Sequence, residues 1–320
     1  MMAPSLNFKN KRDKPSPIRI KNPISRDKSE WINKLCGILK TKQPSQMKTF
    51  KYLVLLISII IISEKSFACS IIYYIDSKTG KIYFINNEDY WYDVKPYIQI
   101  NPSSKDELGR IWYGWKNFGQ GGINEKGLVI DGAVTPEQKI PSGYSSPKGN
   151  FTDKILAKCS TVDEVIQYLE QEKIALNNAH ILLGDKNGKA VIVEWINGVK
   201  NIVEIKNNRL VSTNFNLSDT IQTEMTCWRY PIIQKGLDEL DARNPKDTID
   251  LKAVGNVIGK AVQLPQKDST GKIGGTLYTT FIDLTEMKLV LVYKLDNSKI
   301  QKLDILSELK LGKKRKIKLE

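Results

Sequence analysis

Cys69 follows a short apolar run and two small residues, in the stretch Ser66-Phe67-Ala68-Cys69-Ser70. A cut before it would place a thiol and an α-amino group on one residue. A free thiol titrates at about 8.5 and an α-amine at about 7.7–8.0. Near pH 7 such an amine can take the thiol proton, directly or through one water. A cysteine of this kind is nucleophile and base together and needs no histidine. The chain has a single histidine, His180. That excludes a zinc site built on several imidazoles and allows a Cys–His couple only if His180 is the base. The four cysteines, Cys36, Cys69, Cys159 and Cys227, form no C-x-x-C pair. Removal of residues 1–68 would leave at least one thiol without an intrachain partner.

What precedes Cys69 supports a cut. Residues 1–46 are rich in Lys, Pro and Ser without periodicity and read as a disordered segment. Residues 47–68 read as a signal peptide: Met47-Lys48 to Lys51, an apolar core from Tyr52 to Ile62, then Ser66 and Ala68 at the positions signal peptidase prefers. That apolar core is short for a membrane span. The expectation is translation from Met47, cleavage at Ala68-Cys69, and a periplasmic or extracellular product that meets the membrane only through its signal segment. The rival reading is an envelope binding module lipidated at Cys69. A lipid on this residue would block the amine, so the two readings exclude each other. Lipoprotein signals usually carry Leu three residues before the cysteine, where this chain has Ser66.

The formal charge of +14 over 320 residues raises nucleic acid as a partner. The excess lies in residues 1–68 and in the last eleven residues, KLGKKRKIKLE, and the segment between is close to neutral. A nucleic-acid binder carries its basic face on the folded body, so none is expected here. Residues 301–320 read as a solvated basic tail behind a domain at 69–300.

The elements that would position Cys69 are mostly hairpins. SIIYYI–DSKTGK–IYFIN opens at the cysteine, FGQGGI–NEKG–LVIDGAV is a second, and AHILLGD–KNG–KAVIVEW a third, continued by VKNIVEI and RLVSTN. TLYTTFIDL–TEM–KLVLVYKL is the last. Helical patterns occupy 152–172, with capping-box spacing at Thr161–Glu164, then 226–242 and 251–263. Antiparallel blocks separated by helices predict an α+β fold, not a doubly wound parallel sheet.

Several stretches, in order, resemble the choloylglycine hydrolase and penicillin V acylase group of N-terminal-nucleophile hydrolases. FINNEDYW at 84–91 is similar to that group's FGRNLDW, GGINEKGLVIDGAVTP at 121–136 to its NEKGLAMAGLNFP hairpin, VSTNF at 211–215 to its strand ending in TN, and CWRYPII at 227–233 to its SRFVRA. The resemblance spans most of residues 69–295. It implies an αββα sandwich, two antiparallel sheets face to face with helices outside, and a hydrolase for linear, non-peptide C–N bonds working without cofactor or metal. It makes Cys69 the nucleophile, Asp89 the group that holds it and its amine, and Asn214 an oxyanion donor. Arg229 becomes the cation that lowers the thiol pKa.

Two departures accompany it. The group's motif arginine falls on Asn86, which puts substrate choice in question more than reaction type. Its oxyanion position falls on Val134, which can offer only a backbone N–H. The segment after Asp89 frames the acyl pocket in that group, so Tyr90, Trp91 and Tyr92 become candidate contacts for a small amide substrate. His180 reads as a structural group. Transfer of the acyl group to another amine, a Cys159–Cys227 disulfide and a homotetramer are all left open.

Overall fold

The first hairpin pairs β1 (Ser70–Ile75) with β2 (Ile82–Trp91), residue by residue from Ser70↔Asn87 to Ile75↔Ile82. Both faces of these strands are buried, which is why SIIYYI is continuously apolar instead of alternating. The computed structural model describes residues 69–219, 227–243 and 249–320. The expected disordered segment 1–46, the signal at 47–68 with its Ala68-Cys69 junction, Cys36 and the Thr226 helix start lie outside the described residues.

Beyond the first hairpin come β3 (Tyr97–Asn101), β4 (Arg110–Trp115), β5 (Phe118–Asn124) and β6 (Val129–Val134). Two helices follow, α1 (Phe151–Lys158) and α2 (Val162–Gln171), then β7 (Ala179–Gly184), β8 (Ala190–Ile196), β9 (Val199–Glu204) and β10 (Arg209–Ser212). The chain continues with α3 (Arg229–Asp241), α4 (Leu251–Gly259), β11 (Gln266–Lys267), β12 (Ile273–Asp283), β13 (Lys288–Tyr293), β14 (Ile300–Asp304), α5 (Ile305–Lys310) and β15 (Arg315–Lys318). One antiparallel sheet runs β10-β1-β2-β12-β13-β14, with β11 against β12, and the other runs β15-β3-β4-β5-β6-β7-β8-β9.

Three apolar clusters show the layering. Ile71, Tyr73, Phe84, Ile98, Ile111 and Leu182 meet between the sheets. Ile155, Leu156, Val165 and Leu169 of α1 and α2 pack on Ile130, Leu183 and Val193, on the outer face of the second sheet. Ile233, Leu237, Val254 and Val257 of α3 and α4 cover Ile72, Tyr74, Tyr83 and Ile85, on the outer face of the first. Each fully buried Ile, Leu or Val contributes about 1.5–3 kcal/mol. The order of layers is the αββα sandwich expected from the sequence.

The helical stretch at 152–172 is two helices, broken at Cys159. Thr161 accepts from the Glu164 N–H as the cap, and the Glu164 carboxylate reaches the Ser160 N–H. The pair β3–β4 was not read from the sequence. The C-terminal twenty residues correct the expectation of a solvated tail. Ile305 and Leu309 of α5 are buried, and β15 adds an edge strand to β3 through Arg315↔Ile100 to Lys318↔Tyr97. In Arg-Lys-Ile-Lys-Leu the exposed positions are Lys316 and Lys318, while Leu319 is buried. The charge run hid a period-two strand, and lysines on an edge strand also protect it from pairing with other chains.

Candidate active site

Cys69 enters one residue before the Ser70↔Asn87 pair, opposite Glu88 of β2. Side chains alternate along β2. Asn87 and Asp89 point to the helix layer, where the Asn87 amide donates to the Ile258 carbonyl of α4. Asn86, Glu88 and Tyr90 point between the sheets, the side on which Cys69 packs. A register shift at Leu277 of β12 lets Thr276 face Asp89 while Tyr278 faces Glu88. The bulge thus supplies a hydroxyl to each side of β2.

On the helix side the residues named from the sequence converge. The Thr276 hydroxyl donates to Asp89 Oδ1 at 2.6 Å. Arg229, the first residue of α3, donates through Nη1 to Asp89 Oδ2 at 2.8 Å and through Nη2 to Asn214 Oδ1 at 3.0 Å. Its Nε and Nη2 also contact Cys227 Sγ, at 3.2 and 3.0 Å. The Asn214 amide nitrogen donates to the Val134 carbonyl at 2.7 Å. Because guanidinium only donates, the oxygen of Asn214 must face Arg229 and its NH2 must face Val134. One N–H of that NH2 is taken by Val134, and the second is available to a substrate. Asp89, Arg229, Asn214 and Val134 form one connected chain from β2 through α3 to β6. Arg229 and Asp89 are only 1% and 2% exposed.

Two expectations are corrected. The Asp89 carboxylate serves Thr276 and Arg229, and it is the Asp89 backbone N–H that bonds the Cys69 sulfur. With Cys69 still in peptide linkage to Ala68, its thiol is pushed well up, not down. Burial is the main cause, followed by the Glu88 and Asp89 carboxylates, with the Asp89 N–H opposing them. Burial also raises Asp89, to about 7, against the pull of Thr276 and Arg229. Val134 is 52% exposed, and its carbonyl serves as an acceptor for Asn214.

On the inter-sheet side lies a group the sequence reading missed. Cys69 lies opposite Glu88 across the β1–β2 pairing, and this carboxylate, only 3% exposed, pushes the thiol up. Facing it from the other sheet is Asp131 of β6, which accepts from the Tyr113 hydroxyl at 3.0 Å and the Gly132 N–H at 2.8 Å. The ring of Tyr278 meets that of Tyr113 edge-on at 5.7 Å. Burial pushes Glu88 well up, with Asp131 and Asp89 adding to it, and burial does the same to Asp131. A single carboxylate inside the apolar strand LVIDGAV was the available signal. So was the glycine opposite it, since a Cβ on Gly121 would collide with Asp131 Oδ2 and lie 2.6 Å from the Tyr113 hydroxyl.

Tyr90 stacks at 4.6 Å on Trp115, and Lys272 lies over the Trp91 ring. The Tyr92 hydroxyl donates to the Thr276 carbonyl. Tyr90 and Trp91 close β2 and do not belong to a separate loop. Asn86 is fully buried. His180 is also fully buried, with Nδ1 at 2.8 Å from Glu194 and Nε2 at 2.6 Å from the Ser212 hydroxyl, tying β7 and β8 of one sheet to β10 of the other. Glu194 in turn accepts from the Leu217 and Ser218 N–H groups and the Ser218 hydroxyl, fixing the segment that carries Asn214. Burial raises this carboxyl, but His180 and Ser218 outweigh it and hold it below its usual value. Cys159 and Cys227 are unpaired thiols.

Comparison with known proteins adds the lineage. A penicillin V acylase from Pectobacterium atrosepticum is 29% identical over 126 residues, covering 34% of this chain and 32% of that protein. The match thus spans about a third of the relative's length. Two solved structures share the fold. A single-residue variant of conjugated bile acid hydrolase from Clostridium perfringens has a TM-score of 0.61 at 18% identity, covering 78% of this chain and 96% of its own. Penicillin V acylase from Agrobacterium tumefaciens has a TM-score of 0.59 at 18% identity, covering 78% and 91%. The family model described as acyl-coenzyme A:6-aminopenicillanic acid acyl-transferase matches residues 76–294, and by that match over most of its length this chain belongs to that family.

Proposed function

We propose that this protein is an exported amidase that cleaves a linear, non-peptide C–N bond through an acyl-thioester on Cys69, once residues 1–68 have been removed. The observation that carries the reading is the hydrogen-bonded chain Asp89–Arg229–Asn214, which starts one residue after the β2 position opposite Cys69, a cysteine lying directly after a signal-like segment. Relatives named as an acylase and a hydrolase support the reaction class.

Before cleavage the thiol is neutral and held by carboxylates, a state of low reactivity. Cleavage adds an α-amine on the same residue. As a base, the amine takes the thiol proton; as an ammonium, it offsets the negative charge around the sulfur. At about 4 Å and an effective dielectric of 20 that attraction is about 4 kcal/mol, or about three pKa units. The thiolate then attacks the amide carbonyl. The free N–H of Asn214 bonds the oxyanion, and Arg229, anchored on Asp89, orients Asn214. The ammonium gives its proton to the departing amine as the C–N bond breaks, and water, deprotonated by the same amine, releases the acid. In this scheme Arg229 positions Asp89 and Asn214 without touching substrate.

The family description favours a second outcome of the same acyl-enzyme, transfer to an acceptor amine in place of water. Intact mass and N-terminal sequencing of the protein from its native host test the shared premise, followed by an amide screen with and without acceptor amines. A free N-terminal Cys69 and turnover lost in Cys69→Ala are expected. A lipid on Cys69, or a chain still carrying residues 47–68, would refute the proposal.

A further inference from the structure

Glu88 and Asp131 have no role in the chemistry above, yet the charge of each pushes the Cys69 thiol up. Glu88 stands opposite Cys69 across the β1–β2 pairing on the face turned between the sheets, and the Asp131 carboxylate of β6 in the other sheet pushes it up. Neither takes part in an ion pair with a Lys or Arg among the described residues. A second observation lies beside the pair. Asn86, two residues along the same face of β2 and fully buried, has no hydrogen-bond partner for either side-chain atom. Glu88 Oε2 and the Tyr278 hydroxyl, opposite one another in register, are unsatisfied as well. Buried polar groups are almost always satisfied, and an unsatisfied set around a reactive atom points to a ligand that completes it.

We infer that Glu88 and Asp131, with Asn86 and Tyr278, form the acyl-side specificity site of this enzyme, and that it takes an acyl group bearing a protonated primary amine close to the scissile carbonyl. The inference rests on the amidase reading above and deepens it. In the thioester the acyl carbon is bonded to Sγ, and Glu88 faces Cys69 across the strand pair on the same side, so the first atoms of the acyl chain would pass beside Glu88. An ammonium there offers three donors to carboxylates, the Asn86 carbonyl and the tyrosine oxygen, all acceptors. Burial pushes both carboxyls up and Asp131 adds to the rise of Glu88, and a cation between them offsets both effects. A hydrophobic acyl group would instead leave every one of these groups unsatisfied. No group of three metal-binding side chains occurs among the described residues, which favours an organic cation over a metal ion.

The test uses the mature chain beginning at Cys69. The p-nitroanilides of glycine, β-alanine and 4-aminobutyrate are compared with those of acetate, propionate, butyrate and succinate. A site built on buried acceptors should favour an aminoacyl substrate over its neutral isostere by at least about 100-fold in kcat/KM, and succinyl should be worst. Glu88→Gln should collapse that ratio toward one, with circular dichroism showing an intact fold. Titration calorimetry of propylammonium chloride into mature Cys69→Ala gives a readout independent of turnover. Saturable binding, weakened more than tenfold by Asp131→Asn, supports the site even if no amide is cleaved, in which case the amidase reading alone has failed. Cleavage with equal or better rates for neutral acyl groups overturns the inference and leaves the amidase reading standing. Absence of propylammonium binding also overturns it.

Discussion

Arg229→Gln in the mature chain should destabilise the fold by an amount that grows with pH. Asp89 titrates at about 7 with Arg229 beside it. Above that pH the folded protein carries a buried carboxylate because the guanidinium lies 2.8 Å away. Glutamine supplies no charge, so the variant must keep the Asp89 proton to higher pH. The unfolded chain gives that proton up near 3.9. Each pH unit over which only the folded variant retains it lowers the variant's stability by about 1.4 kcal/mol relative to the parent.

The charge contribution is therefore absent at pH 6, where both proteins hold the proton, and reaches up to about 2.7 kcal/mol at pH 9. Loss of the charged donor to Asn214 and Cys227 adds about 1.5–3 kcal/mol at either pH. The expected deficit is about 1.5–3 kcal/mol at pH 6 and about 4–6 kcal/mol at pH 9. Urea unfolding under reducing conditions measures both. The double variant Asp89→Asn/Arg229→Gln has no carboxyl to titrate, so its deficit relative to Asp89→Asn should not change with pH. A single-variant deficit that is flat, or larger at pH 6, would refute the ion pair as described. In the parent the same carboxyl works in one direction: its contribution to stability is full below about 4 and declines as pH rises toward about 7.

Asn214→Ala should lower kcat by 10²- to 10³-fold, the usual cost of about 2.7–4 kcal/mol for an oxyanion donor, with an unchanged circular dichroism spectrum; unchanged kinetics would assign that role elsewhere. Gly121→Ala places a methyl against Asp131 and Tyr113 and should cost about 1–3 kcal/mol by overpacking. Denaturant midpoints check this, and a neutral result would mean that the inter-sheet cluster moves apart readily. Glu194→Gln weakens the acceptor for Leu217 and Ser218. Their amide hydrogens should exchange faster and kcat should fall, and unaltered exchange would show that the Asn214 segment is held by other contacts.

The sequence by itself determined the hairpins and the layers. The apolar runs SIIYYI and KAVIVEW are long enough to be buried on two faces, and helices between antiparallel blocks indicate α+β layers, while the αββα order came from the family resemblance and is the order the structure has. The signal-like junction marked Cys69, and the resemblance to the hydrolase group, carried by short motifs in order along the chain, marked Asp89, Asn214 and Arg229. Their partners were not legible there. Asp89 is joined to Thr276, 187 residues away, through a bulge that no local pattern announces. Asn214 meets Val134 across 80 residues, and that contact together with Arg229 settles which way its amide points.

The C-terminal strand was misread because charge outweighed a period of two, and a lysine-rich edge strand looks like a tail until it is paired with β3. Glu88 and Asp131 lie 43 positions apart on different sheets. Singly, each reads as an ordinary polar residue in a strand. Face-to-face packing of the sheets brings their charges to bear on the nucleophile, and burial there raises both carboxyls and the thiol. Local chemistry is written along the chain, but the field a group experiences depends on which distant charges the fold brings near and how much water it excludes. The tertiary structure alone decided that.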